Sequence, residues 1–459
     1  MKCFSPSLQA FLSGRHLLLS ELPFSRELIQ YHQNNGYLQL EPGIRKEGRF
    51  YVCARCGNRN PQMFAFFPCA KCSKSCVYCR HCLMMGRVSE CTPLISWIGP
   101  DPASVMGREE LQWDGLLSKG QEEAAMAVQN AVERKEDLLV WAVCGAGKTE
   151  ILFQGIHAAL HKGERVCIAA PRTDVVLELA PRLQKVFPSI PVAALYGGSP
   201  QRHEYSPLVI STVHQLYRYK DAFDVLIVDE VDAFPYSFDA TLGYAAEKSR
   251  KPSSAIIYLT ATPNETWQRQ CRQGKRRFVS IPARYHRHPL PIPKIRWLGN
   301  WKKSLKKGRI PTKLKLWTQN RLERNKQALL FFPSIRTMND ALPLFQTLDS
   351  RIKAVHAEDP NRIEKVEGMR RKEIPVMLTT TILERGVTFP NLDVAVVGAE
   401  EDIFSESALV QISGRVGRSV HFPNGEIMFF HYGLTKEIIK AIRHIERMNR
   451  EAKKKGLID

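Results

Sequence analysis

Residues 141–150, WAVCGAGKTE, have the features of a phosphate-binding loop. An apolar run precedes them and a helical pattern follows, which places the loop between a buried strand and a helix. Gly145 and Gly147 let backbone N–H groups approach a phosphate closely, because neither residue carries a Cβ. Lys148 would add positive charge beside the β- and γ-phosphates, and Thr149 would offer a hydroxyl to Mg²⁺. We therefore predict an ATP and Mg²⁺ site whose nucleotide-binding residues include Ala142, Val143, Cys144, Gly145, Ala146, Gly147, Lys148 and Thr149.

On both sides of this loop, short apolar runs alternate with segments of helical spacing such as 149–163 and 173–187. The runs are almost continuously apolar, as is typical of strands in parallel sheets covered on both faces. They form two groups separated by a passage rich in Pro and Lys, so the pattern predicts an α/β protein with two RecA-like parallel-sheet lobes. The predicted strands are DLLVWAV, RVCIAAP, PLVIST, DVLIVDE and AIIYLTATP, then QALLFFPS, IKAVHAED, PVMLTTT, LDVAVVGAE and EIMFFHY.

The length of 459 residues favours two or three domains. We expect a small N-terminal zinc-binding domain, two lobes joined by a basic linker or arm without clear secondary structure, and a charged helical tail. The expected boundaries are 1–108 for the N-terminal region with its Cys-rich module at about 50–92, 109–282 for the first lobe, 283–318 for the linker, 319–440 for the second lobe and 441–459 for the tail.

Two carboxylates follow the strand predicted in DVLIVDEVD, residues 224–232. Asp229 is expected to hold the water shell of Mg²⁺, and Glu230 to orient or deprotonate the attacking water. The next strand ends in Thr260 and Thr262, whose small hydroxyl side chains could link the nucleotide to a second site. An ordinary strand end is the alternative interpretation of these two threonines.

The segment QISGRVGR, residues 411–418, contains Gln411, Arg415 and Arg418. A spacing of three predicts that both arginines lie on one helix face. Guanidinium groups suit a transferring phosphate, so the two arginines are candidate arginine fingers from the facing lobe. A surface arginine pair is the alternative. The predicted catalytic residues are Lys148, Asp229, Glu230, Gln411, Arg415 and Arg418.

Together the loop, DEVD, TAT and QxxGRxGR resemble the motifs of superfamily 2 helicases and translocases, over residues 112 to about 432. Members of that superfamily commonly begin the loop with Ala, as Ala142 does here. The resemblance implies that Gln121 contacts adenine and that residues 171–179 and 210–216 contact a nucleic-acid strand. It also implies a fifth motif near the interlobe cleft, with Thr380, Arg385 and Gly386.

Eight of the twelve cysteines lie between residues 53 and 91, a spacing typical of metal binding in a chain without signs of secretion. Two CxxC pairs separated by twelve residues predict a tetrahedral structural zinc site. Three further cysteines are either alternative ligands or part of a second site with Cys91 or His81. Taken individually, Cys91 and His81 are interpreted as ordinary residues. The predicted ligands, for one or two zinc ions, are Cys53, Cys56, Cys69, Cys72, Cys76, Cys79 and Cys82.

The formal net charge of +20 indicates a polyanionic partner. Between Glu265 and Glu323 there are seventeen Lys and Arg and no acidic residue. The same stretch carries four aromatic residues that could stack on unpaired bases, a combination that would suit single-stranded DNA; these are Tyr285, Trp297, Trp301 and Trp317. A solvated basic face with its Trp side chains in the core is the alternative. No signal peptide or membrane-spanning run is recognisable, so a cytoplasmic location is expected.

The segments YCRHCLMMGRV, WDGLLSKGQ and VCGAGKTE resemble the late competence protein FA family of Gram-positive bacteria. The resemblance implies an ATPase at the inner face of the cell membrane, peripheral to it, that powers entry of transforming single-stranded DNA. It also implies contacts with the phosphoribosyltransferase-like competence protein FC and with the DNA-uptake membrane channel. A replication-restart-type DNA helicase, an RNA helicase and a non-motor ATP-gated DNA clamp are the alternatives.

Overall fold

The computed structural model describes residues 4–102, 111–385 and 389–458. Gly386, implied by the fifth motif, lies outside these residues. Among the described residues, no helix combines the length and apolar character needed to cross a membrane.

The N-terminal region consists of short elements around the cysteines. Two helices begin at serine caps, since the hydroxyls of Ser5 and Ser25 accept the N–H groups of Leu8 and Leu28. Strands β1, β7 and β2 form an antiparallel sheet, and β3–β4 and β5–β6 are hairpins. The elements are α1 (Pro6–Leu12), β1 (Leu17–Leu18), α2 (Arg26–Asn34), β2 (Leu38–Glu41), β3 (Ile44–Glu47), β4 (Phe50–Cys53), β5 (Phe64–Cys69), β6 (Lys74–Cys79) and β7 (Leu94–Trp97).

The first lobe contains a seven-stranded parallel sheet in the order β10-β11-β9-β12-β13-β8-β14. Its elements are α3 (Lys119–Arg134), β8 (Leu138–Ala142), α4 (Phe153–His161), β9 (Val166–Ala170), α5 (Thr173–Val186), β10 (Val192–Leu195), β11 (Leu208–Thr212), β12 (Phe223–Val228), α6 (Ala240–Ser249), β13 (Arg250–Thr260), α7 (Glu265–Arg272) and β14 (Phe278–Ile281). The carboxyl ends of the neighbouring strands β12, β13 and β8 meet at one edge, where ligands bind in parallel α/β sheets.

The second lobe contains a six-stranded parallel sheet in the order β15-β20-β19-β16-β18-β17. Its elements are β15 (Lys294–Trp297), α8 (Trp301–Lys306), α9 (Thr312–Glu323), β16 (Gln327–Phe331), α10 (Ile335–Gln346), β17 (Lys353–Val355), α11 (Arg362–Arg370), β18 (Val376–Thr379), β19 (Leu392–Val397), α12 (Glu406–Ser413), β20 (Ile427–His431) and α13 (Lys436–Lys454). All ten predicted strands are present, and the predicted two-lobed parallel α/β fold is confirmed.

The expectation that the basic stretch lacks secondary structure is wrong. It contains β15, α8 and the start of α9, because Trp301 and Leu305 lie on one face of α8 and pack into the second-lobe core. Trp301 and Trp317 are buried in that core and cannot stack on bases as they stand. Trp297 and Tyr285 are 56% and 50% exposed, so their rings can still stack on bases.

Helix α13 connects the two lobes. Ile438, Ala441 and Ile445 pack into a second-lobe core cluster, whereas Met448 packs into a first-lobe cluster. The charged tail is therefore the outer face of an amphipathic helix whose inner face is shared by both lobes.

Candidate functional site between the lobes

The phosphate-binding loop has the backbone that its glycines predict. Gly145 and Gly147 adopt φ values of +81° and +75°, in the left-handed region. Ala142 is the last residue of β8 and pairs with Ile281 of β14, so it has strand conformation and needs no glycine. A Cβ on Gly147 would collide with the side chain of Gln121.

Gln121 supports this loop from α3. Its Oε1 atom accepts the N–H of Ser118 at 2.8 Å, and its Nε2 atom donates to the carbonyl oxygen of Ala146 at 3.0 Å. The side chain is buried against the loop. Because an amide side chain has two donor and two acceptor positions, one of each is left for a ligand. Contact with adenine stays a prediction.

Asp229 and Glu230 follow β12 and lie near Lys148. The N–H of Glu230 donates to Oδ1 of Asp229 at 2.8 Å, and Glu230 has a φ of +50°. Burial and the charge of Glu230 raise the pKa of Asp229 to about 6, against the opposing charge of Lys148. The structure thus brings together the two predicted carboxylates and the predicted phosphate-binding lysine.

Asp232, the last residue of DEVD, accepts hydrogen bonds from the two threonines of the TAT segment. Its Oδ1 atom accepts the hydroxyl of Thr260 at 2.7 Å, and its Oδ2 atom accepts the hydroxyl of Thr262 at 2.7 Å. Thr260 and Thr262 are therefore more than an ordinary end of β13. They connect the acidic segment after β12 to the neighbouring strand.

The second lobe reaches the same carboxylate. Arg385, Ser407 and Gln411 donate to Oδ2 of Asp232 at 2.7, 2.8 and 3.3 Å. Burial raises the pKa of Asp232, but the charges of Arg385 and Lys148 outweigh it and hold the pKa well below the usual range. Sequence reasoning missed Asp232, although a third acidic residue after the end of β12 was a visible signal. One carboxylate thus joins both lobes.

Gln411 and Gly414 place the second lobe directly against the phosphate-binding loop. The thiol of Cys144 donates to Oε1 of Gln411 at 2.9 Å. A Cβ on Gly414 would lie 2.5 Å from Cβ of Cys144, so a larger residue would force the two segments apart.

The prediction that Arg415 and Arg418 share a helix face is wrong. Helix α12 ends at Ser413, and the chain turns through Gly414 and Gly417, the latter at φ +69°. Arg415 donates from Nε and Nη2 to the carbonyl of Glu384 at 2.8 and 2.6 Å. Arg418 is half-buried and donates from Nε to the carbonyl of Gly414 at 2.8 Å. Both arginines lie in the turn beside the loop, and their role as fingers stays a prediction.

Arg284 is a residue of this site that sequence reasoning missed. Its guanidinium is 2% exposed and donates to the carbonyl of Cys144 at 3.1 Å. It also donates to the carbonyls of Val416 at 2.7 Å, Gly414 at 3.3 Å and Gly417. Burial lowers its pKa to about 10, and the charge of Arg418 contributes. No motif marks Arg284, which lies among many other basic residues.

The segments implied to contact a strand lie at the carboxyl ends of β9 and β11. Arg172, in the first segment, donates from Nη2 to the carbonyl of Ile382 in the fifth motif at 3.1 Å. Asp174 forms an ion pair of 3.2 Å with Arg362 of the second lobe. Strand contact by these segments stays a prediction.

Eight cysteines form two four-sulfur clusters, with pairings that differ from the prediction. The first cluster joins Cys53 and Cys56 to Cys79 and Cys82, not to the second CxxC pair. The second cluster contains Cys69, Cys72, Cys76 and Cys91, so interpreting Cys91 as an ordinary residue is wrong. The hairpin pairing of β5 with β6 brings distant cysteines together, which spacing along the chain does not reveal. His81 is in neither cluster, since its Nε2 atom lies 3.0 Å from Oδ2 of Asp239.

The donor set of each cluster fits a structural zinc ion. The four sulfur atoms of each cluster lie within 4.8 Å of one another, and the cysteines are free. Four sulfurs at about 2.3 Å from one zinc ion would be about 3.8 Å apart. In the first cluster, the sulfurs of Cys53 and Cys82 are 3.8 Å apart and those of Cys56 and Cys79 are 3.7 Å apart. The second cluster is tighter, with distances of 3.3 Å and 3.1 Å.

Three family models match successive parts of the chain. They describe the competence protein ComFA N-terminal domain at residues 2–96, the res subunit of type III restriction enzymes at 115–265 and the helicase conserved C-terminal domain at 312–420. Competence protein ComFA of Bacillus subtilis (strain 168) is 50% identical over 451 residues, or 98% of this chain and 97% of the relative. Competence protein ComFA of Streptococcus pneumoniae (strain ATCC BAA-255 / R6) is 38% identical over 413 residues, or 90% and 93%.

Solved helicase structures share the fold. Dbp5 of S. cerevisiae bound to RNA and ADP BeF3 has a TM-score of 0.50 at 13% identity, covering 72% of this chain and 91% of that one. The DUF1998 helicase MrfA bound to DNA has a TM-score of 0.52 at 14% identity, covering 74% and 54%. At this identity the likeness concerns the fold.

Proposed function

This chain belongs to the ComFA family of competence proteins, and from that premise we propose that it is an ATP-driven translocase that moves single-stranded DNA into the cytoplasm during natural transformation. Family membership and the helicase domains establish the coarser statement: the chain is a superfamily 2 ATPase of the helicase or translocase type, and it acts in competence DNA uptake. ATP and Mg²⁺ are the cofactors of such domains.

The observation that carries the proposal is the junction at Asp232. Hydroxyls from the first lobe and groups from the second lobe converge on this buried carboxylate, next to Asp229 and Glu230. A displacement of the acidic segment would therefore act on Arg385 and Gln411 at once. A motor requires such a linkage, because hydrolysis at one site must change the relative position of the two lobes.

Within this proposal each residue of the site has a chemical task. Lys148 and the N–H groups of the loop bind phosphate, and Thr149 and Asp229 hold Mg²⁺ with its water shell. Glu230 orients the attacking water, and Arg418 stabilises the charge that develops on the transferring phosphate. Bound Mg²⁺-ATP supplies the phosphoryl group whose transfer to water drives movement.

The choice of single-stranded DNA rests on charge and exposed aromatic groups. The chain has a formal charge of +20, and Trp297 and Tyr285 are exposed residues in a stretch rich in Lys and Arg. Lys313 lies 5.6 Å from the ring of Trp297. Basic groups neutralise phosphates while aromatic faces accept unpaired bases.

The proposal includes two structural zinc ions, one in each cysteine cluster, an N-terminal region at 1–108 and a first lobe at 109–282. The proposal also places the protein at the inner face of the membrane, peripheral to the bilayer. It further includes contacts with competence protein FC and with the DNA-uptake channel. These last elements are supported by the family resemblance.

The experiment is a comparison of ATP hydrolysis with saturating single-stranded DNA, forked duplex DNA and RNA at one salt concentration. We expect single strands to stimulate most, because DNA bound across both lobes favours the closed cleft. Clear preference for forks would favour replication restart, and preference for RNA an RNA helicase. Absence of stimulation by any of the three would contradict a nucleic-acid motor.

A deletion strain tests the biological role separately. Uptake of donor DNA should be lost while growth is unchanged. Uptake should return with the wild-type gene and with a Lys162→Ala variant, whose exposed lysine lies outside the site, but not with Lys148→Ala. Normal uptake in the deletion strain would assign the motor another task.

A further inference from the structure

A groove of about 730 Å³ lies between α7 of the first lobe and α13. Two arginines of α7 are three positions apart, and three arginines of α13 follow the spacing i, i+4, i+7. Each set therefore lies on one helix face. The arginines that line the groove are Arg269, Arg272, Arg443, Arg447 and Arg450.

Positive side chains outnumber carboxylates in this groove. Of the lining carboxylates, Glu265 pairs with Lys440 at 3.0 Å and Glu406 with His444 at 3.1 Å. Within the described part of the chain, the four exposed arginines form no ion pair; these are Arg269, Arg272, Arg443 and Arg450. Glu446 is the remaining lining carboxylate. With five arginines and Lys440 against three carboxylates, the groove has an excess of positive charge, as is typical of a surface that binds phosphates.

Arg447 lies at the base of the groove, beneath the four exposed arginines. Its guanidinium lies 4.9 Å from the centre of the Trp141 ring and donates to Oε1 of Gln268 at 3.3 Å, while Nε has no hydrogen-bond partner among the described residues. Burial lowers its pKa, Glu406 opposes this effect, and the charge of Arg272 adds to the lowering.

The groove continues into a second cleft of about 440 Å³, with which it shares Glu265, Glu406 and Lys440. Tyr236, Phe238 and Trp267 line this cleft. Phe238 is 80% exposed, and the neighbouring Phe234 is 74% exposed. The arginine-lined groove thus leads into a cleft with the exposed ring of Phe238 and the half-buried rings of Tyr236 and Trp267, a combination suited to single strands.

We propose that the α7–α13 groove binds the phosphate backbone of single-stranded nucleic acid, with the adjoining aromatic cleft accepting its bases. The inference rests on the proposed function; the groove lies outside the helicase motifs, whereas the aromatic cleft borders Asp232 and Thr262. The groove is concave and bounded by two helices, a shape that fits a strand rather than a flat lipid surface. Because α13 packs into the cores of both lobes, a strand held here contacts the helix that connects them.

The test removes two groove charges and compares the result with the same change elsewhere. The groove variant is Arg272→Gln with Arg450→Gln. The control is Arg277→Gln with Arg351→Gln, one exposed arginine from each lobe, already paired with Glu136 and Asp349. Binding of a fluorescent 30-nucleotide poly-dT strand is measured by anisotropy at several salt concentrations. Thermal unfolding of each variant checks that the protein is folded.

Each phosphate contact on a single strand contributes about 0.7 to the slope of log K against log salt, so two lost contacts should lower the slope by about 1.4. Affinity at about 0.1 M salt should then fall roughly 10- to 30-fold, and the control should stay close to wild type. Equal affinity and slope in the groove variant and the control would overturn the inference. If the wild type itself fails to bind or to be stimulated by single strands, the proposed function fails instead.

A second pair keeps the test available if the first variant is unstable. Arg269→Gln with Arg443→Gln removes two other exposed groove charges and should give the same loss of slope. Vesicles containing phosphatidylglycerol form a further arm. Loss of vesicle binding with unchanged poly-dT binding would assign the groove to lipid and overturn the inference.

Discussion

Nε of Arg284 donates to the carbonyl oxygen of Cys144 at 3.1 Å, and the same guanidinium binds carbonyls of the turn after α12. Arg284→Met would leave buried carbonyls without a donor, which we expect to lower the free energy of unfolding by roughly 3 kcal/mol. It should also reduce kcat more than ATP affinity, because the turn carries Arg415 and Arg418. The measurements are urea unfolding and steady-state ATPase kinetics. Arg287→Met, at an exposed position three residues on, is the control, and equal effects would contradict this role.

Lys148→Ala should reduce ATP hydrolysis by at least ~100-fold, because Lys148 acts on phosphate charge in the transition state. Lys162→Ala, an exposed lysine of the same lobe, should leave hydrolysis unchanged. The check is the ATPase rate together with a far-UV circular dichroism spectrum. Hydrolysis of Lys148→Ala within tenfold of wild type would rule out the assigned task.

Arg418→Ala should lower kcat by roughly 10³-fold while ATP affinity changes little, since a finger acts mainly on the transition state. Arg418 is half-buried and bonded to Gly414 through Nε, so the rest of its guanidinium is available for a phosphate. A fluorescent ATP analogue reports binding, and a single-turnover assay reports chemistry. A parallel loss of both would assign Arg418 to binding instead.

Metal analysis should find two zinc ions per chain, one for each cluster. Cys91→Ser and Cys56→Ser should each lower the content to about one, because each removes a thiolate from a different cluster. Cys271→Ser, outside the clusters, should retain two. Two zinc ions in Cys91→Ser would show that Cys91 is not a required ligand, and a single zinc ion in the wild type would show that one cluster is not a metal site.

Stability should decrease below pH 6.5 because of His16. Burial lowers the pKa of His16 to about 2, Lys248 and Lys220 contribute, and the carboxylate of Glu41 at 3.5 Å does not reverse the shift. The unfolded chain therefore binds one more proton as the pH falls from 6.5 towards 2, which costs about 1.4 kcal/mol of stability per pH unit.

The measurement is urea unfolding between pH 5 and pH 8 in wild type and His16→Gln. The stability difference between the two should shrink by about 1.4 kcal/mol per unit below pH 6.5. His421→Gln, at an exposed position, should follow the wild-type curve. Parallel curves for wild type and His16→Gln would contradict the prediction.

The central strands could be predicted from the sequence and several edge strands could not. β10, β14 and β15 were missed, and each lies at an edge of its sheet. An edge strand is not covered on both sides, so it lacks the continuous apolar run that marks β12 or β19. β15, for example, is exposed along its whole length.

In the site, too, residues marked by their neighbours in the sequence could be predicted, whereas residues defined by contacts with distant parts of the chain could not. Lys148, Asp229 and Glu230 were identified because their surroundings in the chain define their chemistry. Arg284 was not, because its partners are more than a hundred residues away. The cysteines fall between these cases: their spacing indicated metal binding, whereas their partners depend on strand pairing.

The two cysteine clusters are interleaved along the chain, which has a consequence for how the N-terminal region assembles. Cys56 and Cys79 of the first cluster are 23 positions apart, and Cys69, Cys72 and Cys76 of the second lie between them. Closing the first cluster therefore confines three sulfurs of the second within one loop, and only Cys91 must be brought from outside. Because closing a loop costs more entropy the longer it is, whichever cluster forms first makes the other easier to close. Two clusters that share no ligand thus assemble cooperatively, and opening one loosens the other.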